Sequence, residues 1–161
     1  MSERSSSSSF TNPVTEAPVG PPMIGALMRL PWEAVMRRML RALQVNGFDD
    51  INAPHLAVLL WPGPDGQRPS ALATRMRVTK QALNHLLRDL ERMGYLELEP
   101  DPVDRRARII RLTGRGRLLV PVIRTAVADA QSEWAAELGE ERFAQLISLL
   151  VDLNEIVASE G

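Results

Sequence analysis

Four polar side chains, Gln81, Asn84, His85 and Arg88, fall at i, i+3, i+4 and i+7, the spacing that gathers residues on one face of an α-helix. All four are long enough to reach a base edge or a phosphate oxygen. Gln and Asn pair with adenine edges and Arg with guanine in the major groove of a duplex. Thr79, Lys80 and Gln81 stand where that helix begins, so free backbone amides and the helix dipole also favour a phosphate there. A second cluster lies further along, where Asp104 is followed by Arg105, Arg106, Arg108 and Arg111. Alternation along a strand sends Arg106 and Arg108 to one side, with Arg105 near the tip.

Other chemistries find little support. The chain has no cysteine, which removes disulfides, thiolate metal sites and thiol-based redox sensing together. His55 and His85 are the two histidines, and no His, Asp and Glu cluster has metal-ligand spacing. His55 reads as a helix-surface or core residue. No Ser/His/Asp arrangement or phosphate-binding glycine loop stands in its required context. An enzyme reading has no nucleophile or base to name, and no cofactor is implied.

The polar face needs a helix with an apolar back. Ala82, Leu83, Leu86, Leu87, Leu90 and Met93 supply it at helical spacing, with Thr79 as N-cap and Gly94 where a C′ residue is wanted. After Gly94 the period changes to two. Leu96 and Leu98 then face one way, and Tyr95, Glu97 and Glu99 the other. Pro100 to Asp104 reads as a turn, and Ala107 to Leu112 as the return strand. Upstream, Ser70 is expected to cap a short helix, Ala71 to Arg75, with Leu72 and Met76 inward. That helix, an Arg77-Val78 turn and the helix from Lys80 make a helix-turn-helix. Trp61 to Pro69 is a loop, expected to end in a one-residue strand at Arg68.

The remainder is helical. Met23 to Val45 carries a broad apolar face, with Pro31 expected to bend it or to start its continuous part. Asn52 is expected to cap a second helix, Ala53 to Leu60. A long helix over Thr113 to Leu138 carries Leu118, Leu119, Val122, Ile123, Ala126, Val127 and Ala130 on a stripe, with a kink expected at Pro121. Phe143, Leu146, Ile147, Leu150, Val151, Leu153, Ile156 and Val157 cover much of the last helix, more than one small domain can bury. A second copy of the chain is the simplest cover. Met1 to Pro22, with six serines and four prolines, is expected to be a disordered tail. The expected organisation is therefore a tail over 1–22, a dimerisation helix over 23–46, a winged helix-turn-helix over 47–113 and dimerisation helices over 114–161.

Charge divides the same way. Residues 75–117 hold eleven Lys or Arg against six Asp or Glu, and the rest hold eight against fourteen; a surplus of five and a deficit of six give the net −1. A basic module on an acidic scaffold aims its field from one face. No apolar run approaches a membrane span and no secretory signal is visible, so the expected compartment is the cytoplasm.

The stretch from Leu72 to Gly116 resembles the MarR (multiple-antibiotic-resistance regulator) family of bacterial transcription factors. The residues that carry the likeness are Asp104-Arg105-Arg106 in the hairpin, then Leu112-Thr113, then Gly116, preceded by Leu90, Arg92, Met93, Gly94 and Tyr95. The strong part covers about a third of the chain. The resemblance implies a mainly helical fold with a small β wing, and first and last helices that interlock in a homodimer. It implies that Arg106 enters the minor groove, where a narrow groove deepens the negative potential, and that Asp104 orients it through a salt bridge. DNA contacts are then expected from Thr79, Lys80, Gln81, Asn84, His85, Arg88, Asp104, Arg105, Arg106 and Arg108, on a pseudo-palindromic operator. The family often binds small aromatic or phenolic molecules beside the DNA-binding lobe; here Trp32, Met36, Met39, His55 and Leu59 are the candidate lining. The expected function is a dimeric, sequence-specific transcriptional regulator, a repressor relieved by an effector. The alternative is a winged-helix module that binds protein, which has no need of four wing arginines.

Overall fold

The computed structural model describes residues 23–60 and 63–159; the expected tail lies outside them, as do Trp61 and Pro62 of the loop. The elements in order are α1 (Ile24–Val45), α2 (Ala53–Leu59), α3 (Pro69–Met76), α4 (Lys80–Arg92), β1 (Leu96–Pro100), β2 (Arg108–Leu112), α5 (Gly114–Leu138) and α6 (Glu140–Ser159). The strands pair antiparallel, with Leu96 opposite Leu112, Leu98 opposite Ile110 and Pro100 opposite Arg108. The fold is the mainly helical winged helix-turn-helix that the pattern implied.

Local chemistry explains most boundaries. Thr79 Oγ1 accepts from the Ala82 amide at 3.1 Å, the cap expected of it, and Thr113 Oγ1 caps α5 in the same way by accepting from the Gly116 amide at 3.1 Å. Gly94 adopts φ +77°, which lets Tyr95 N–H reach back to Leu90 O at 2.9 Å and close α4. The short α3 departs from expectation. Pro69, not Ala71, opens it, and Arg68 occupies the cap position without a side-chain bond; proline at the first helical position loses no bonded amide. Strand-like pairing also sits one or two residues earlier than Arg68, because Gly66 N–H and Gln67 O bond Ile110. Arg77 takes the left-handed conformation, φ 54°, in the tight turn before α4.

One core joins the lobe to the long helices. Leu56, Leu72, Leu83, Leu87, Leu90, Leu96 and Ile110 close it from the lobe side, and Met39, Leu43, Leu119 and Ile123 from α1 and α5. Two residues assigned inward by spacing, Ala82 and Leu118, are exposed. Neither Pro31 nor Pro121 interrupts its helix; each removes one amide bond but leaves the assigned helix continuous.

The ends of the chain are left uncovered. Ile24, Leu27, Met28, Leu30 and Trp32 of α1 are exposed, as are Leu146, Ile147, Leu149, Val151, Ile156 and Val157 of α6, and α6 contains no buried residue. Burying each such side chain is worth about 1.5–3 kcal/mol before entropy, so a single chain leaves a large apolar area in water.

Candidate nucleic-acid interface

The face of α4 built from Lys80, Gln81, Asn84 and Arg88 is exposed. Its opposite face, Leu83, Leu87 and Leu90, is wholly buried, which fixes the helix's rotation and presents the polar side chains outward. His85 behaves differently from its neighbours. Its Nε2 lies 3.5 Å from Asp89 Oδ2, one turn on. Asp89 also accepts from Arg92 at 2.8 Å and has His55 Nε2 at 3.9 Å. His85 therefore leans along the helix toward Asp89, while Gln81, Asn84 and Arg88 have no side-chain partner among the described residues.

The wing is braced by a residue that spacing did not single out. Asp101, 6% exposed, accepts from the Val103 amide at 2.8 Å and the Asp104 amide at 3.4 Å. Its other oxygen accepts from Arg68 Nε at 2.7 Å. These bonds, the Val103 amide foremost and then Arg68, hold its carboxyl below the usual carboxylate range. Asp101 thus ties the wing turn to the residue before α3. The salt bridge implied for Asp104 and Arg106 is not formed. Asp104 Oδ1 instead accepts from the Arg106 backbone amide at 3.1 Å, a local turn bond that a short carboxylate two residues back makes readily. Among the described residues, no carboxylate pairs with Arg105 or Arg106. Arg108 donates to Leu98 O across the hairpin at 3.0 Å, and Arg111 Nε lies 3.4 Å from Glu99.

Behind the wing, the Leu-Thr and Gly pattern has a packing reason. Thr113 donates its hydroxyl to Gly94 O at 2.6 Å, and its amide bonds Tyr95 O at 3.1 Å. A Cβ on Gly116 would lie 2.0 Å from Tyr95 O, so only glycine lets α5 approach this closely. Tyr95, expected to face outward with Glu97 and Glu99, is instead fully buried. It precedes β1 and does not follow the strand's alternation. Its hydroxyl donates to Asp50 and accepts from Arg115 Nη2 at 2.9 Å, and Arg115 lies 4.5 Å over its ring. Burial, then the Asp50 bond, pushes the phenol up to about 12.

Among the described residues, the expected effector lining divides between interior and surface. Met39 and His55 are closed into the interior, Met36 and Leu59 pack half-buried against the core, and Trp32 is 55% exposed. His55 has a structural task that its spacing from Asn52 signals: the two residues form a reciprocal capping box at the start of α2. A different open cleft, of about 570 Å³, runs between α1 and α5 past Arg38, Arg41, Pro121 and Glu133.

A two-stranded wing behind a helix-turn-helix, with a polar outer helix face and free guanidiniums, defines a winged helix-turn-helix protein. The sequence pattern of the MarR family matches residues 49–107. An uncharacterized HTH-type transcriptional regulator of Mycobacterium leprae is 30% identical over 105 residues, 65% of this chain and 71% of that protein. A MarR transcriptional regulator from Methanosarcina mazei Go1 superimposes with TM-score 0.70 at 16% identity, covering 86% of this chain and 98% of the other. The repressor CouR bound to a 23-mer DNA duplex gives 0.62 at 21% identity, over 82% and 92%. CouR from Rhodococcus jostii RHA1, bound to p-coumaroyl-CoA, gives 0.61 at 23% identity, over 81% and 90%. The chain belongs to the MarR family of transcriptional regulators, with a DNA-binding winged helix.

Proposed function

We propose that this chain works as a homodimer that binds a pseudo-palindromic operator, represses transcription there, and is released by a small-molecule effector. The observation that carries the reading is the exposed face of Lys80, Gln81, Asn84 and Arg88 beside the unpaired guanidiniums of Arg105 and Arg106. In this reading Gln81, Asn84 and Arg88 address base edges, and Thr79 and Lys80 address phosphate at the start of α4. Arg106 reaches the minor groove. Asp104 acts on it through the backbone, by fixing the turn from which the side chain leaves. Arg105 and Arg108 add phosphate attraction, and His85 joins the interface by turning from Asp89.

The division of labour follows the uncovered surfaces. Residues 23–46 and 114–161 form the dimer, and residues 47–113 form the DNA-binding lobe. The apolar faces of α1 and α6 support the dimer, since a partner is the cover they lack. With double-stranded DNA as partner, the compartment is the cytoplasm. The effector is a small aromatic or phenolic molecule that enters near Trp32, Met36, Met39, His55 and Leu59, where α1 meets α2. CouR, seen with DNA and with p-coumaroyl-CoA, supports the pairing of these two ligands on one frame. Tenfold release requires about 1.4 kcal/mol of preference for the non-binding spacing of the two α4 helices. With no cysteine, the signal is not a thiol oxidation.

Fluorescence anisotropy with a duplex selected from random sequence tests the reading. Affinity that falls steeply with salt, and a clear preference over scrambled duplex, are expected. Equal affinity for selected and scrambled duplexes would point to the protein-binding alternative.

A further inference from the structure

Tyr95 is fully buried and lies outside the polar face of α4, yet its hydroxyl closes a polar triangle across three segments. It donates to Asp50, in the turn that leaves α1, and accepts from Arg115 Nη2, in the first turn of α5, at 2.9 Å. Arg115 Nη2 also reaches Asp50 Oδ2 at 3.1 Å, and its guanidinium lies 4.5 Å over the ring. Phe48 flanks the same ring, 6.2 Å away and tilted by 55°. A phenylalanine at this position would keep both ring contacts. The hydroxyl adds only the two bonds, and burying it is costly unless they are made.

The root of the wing already touches α5 at one place. Thr113 bonds Gly94 O and Tyr95 O, and Gly116 lets the two backbones meet. A single place of contact makes a pivot and leaves the angle about it open. The shared apolar core resists separation more than rotation, because apolar burial has no direction, whereas hydrogen bonds do. α4 ends beside this pivot and is 13 residues long, about 20 Å from end to end. A rotation of about 10° about the pivot therefore carries its first turn, with Lys80 and Gln81, through about 3.4 Å, the rise of one base pair.

We propose that the triangle of Asp50, Tyr95 and Arg115 holds the DNA-binding lobe at a fixed angle on α1 and α5, and so sets the separation of the two α4 helices in the dimer. Tyr95 is a positioning residue for DNA recognition: it touches no base and acts through α4. The inference rests on the dimeric DNA-binding reading and deepens it, by assigning the spacing of the reading helices to a named contact.

The chain has no cysteine, so Ser70→Cys, at an exposed position of α3, gives one spin label per lobe in the full chain. Pulsed dipolar spectroscopy of the labelled dimer then reads the lobe-to-lobe distance. A single narrow distance is expected. Tyr95→Phe leaves Asp50 and Arg115 paired and is expected to broaden that distance by about 3 Å or more, the displacement of a 20 Å helix turning through about 10°. Its affinity for a selected duplex is expected to fall about fivefold to tenfold with an unchanged salt slope, because the bound state makes the same phosphate contacts. Ile123→Val trims the core two turns further along α5 and is the control for lost stability; its distance is expected to stay narrow. An unchanged distance in Tyr95→Phe, or equal broadening in Ile123→Val, would overturn the triangle's role while leaving DNA binding intact. A wild-type chain that gave no distance between labels would remove the dimer, and this inference with it.

Discussion

Replacing Gly116 by alanine tests the junction that joins the wing to the long helix. The added Cβ would sit 2.0 Å from Tyr95 O, 3.0 Å from Tyr95 C and 3.2 Å from a Leu112 methyl. The main chains must therefore part by about 1 Å, since tight packing offers no slack. Tyr95 cannot swing away at low cost. Its carbonyl bonds Thr113 N–H at 3.1 Å, and its hydroxyl is held by Asp50 and Arg115. Overpacking costs about 1–3 kcal/mol and the strained amide bond about 1 kcal/mol. Alanine's better helix propensity returns about 1 kcal/mol. A net loss of about 1–3 kcal/mol lowers Tm by roughly 3–10 °C in a chain of this size. Thermal unfolding by circular dichroism, at one fixed protein concentration because a dimer's Tm depends on it, measures this. Gly114→Ala is the internal control: a Cβ there meets nothing within 4 Å, and a change within about 0.5 kcal/mol is expected. Equal or higher stability of Gly116→Ala would refute the close-approach argument.

Tyr95 is the single tyrosine of the chain, so phenolate absorbance reports it alone. Its folded pKa is raised to about 12 from about 10 in the unfolded chain. The stability it contributes is therefore present below about pH 10 and lost as pH rises toward 12; a phenol titrating at its ordinary value in the folded protein would contradict the buried site. Asp101 runs in the opposite direction. Its depressed pKa makes its contribution full above the usual carboxylate range and lost as pH falls below it, and Asp101→Asn is expected to abolish that part of the acid dependence of unfolding. Arg106→Ala is expected to weaken DNA binding by about 1–3 kcal/mol, and Arg88→Ala also to relax base preference at one half-site position, both read by binding isotherms on variant duplexes. Deleting residues 143–161 is expected to give aggregate or unfolded chain by size-exclusion chromatography, and a stable, well-folded monomer would end the dimer argument.

What could be read from residue order was whatever depends on neighbours in the chain. Thr79, Thr113 and Gly94 announce their helix ends because a cap acts within three or four residues. The period change at Gly94 gives away the wing in the same manner, and the two prolines and two aspartates of 100–104 give its turn. Contacts between distant segments were not legible. Asp101 reads as one more turn aspartate until Arg68 is brought beside it, and Tyr95 reads as a strand residue until Asp50 and Arg115 close on it. The Asp104–Arg106 salt bridge, which the resemblance implied, gives way to a bond from the Arg106 amide, because a likeness in residue order does not say whether a carboxylate takes the guanidinium or the amide. His55 shows the limit from the other side, since its reciprocal cap with Asn52 is local and was available at three-residue spacing. The proposed dimer rests on a surplus of apolar residues in the sequence, and the uncovered faces of α1 and α6 carry that surplus.

The central claim is that two copies present two α4 helices and two wings to one duplex. Hydroxyl-radical footprinting on a duplex selected from random sequence tests it most directly. The account predicts two-fold symmetric protection with half-site centres about one helical turn, roughly 10 bp, apart, together with protected minor-groove sugars flanking each half-site where the wings reach. Protection of a single asymmetric half-site, with nothing at the wing positions, would contradict it.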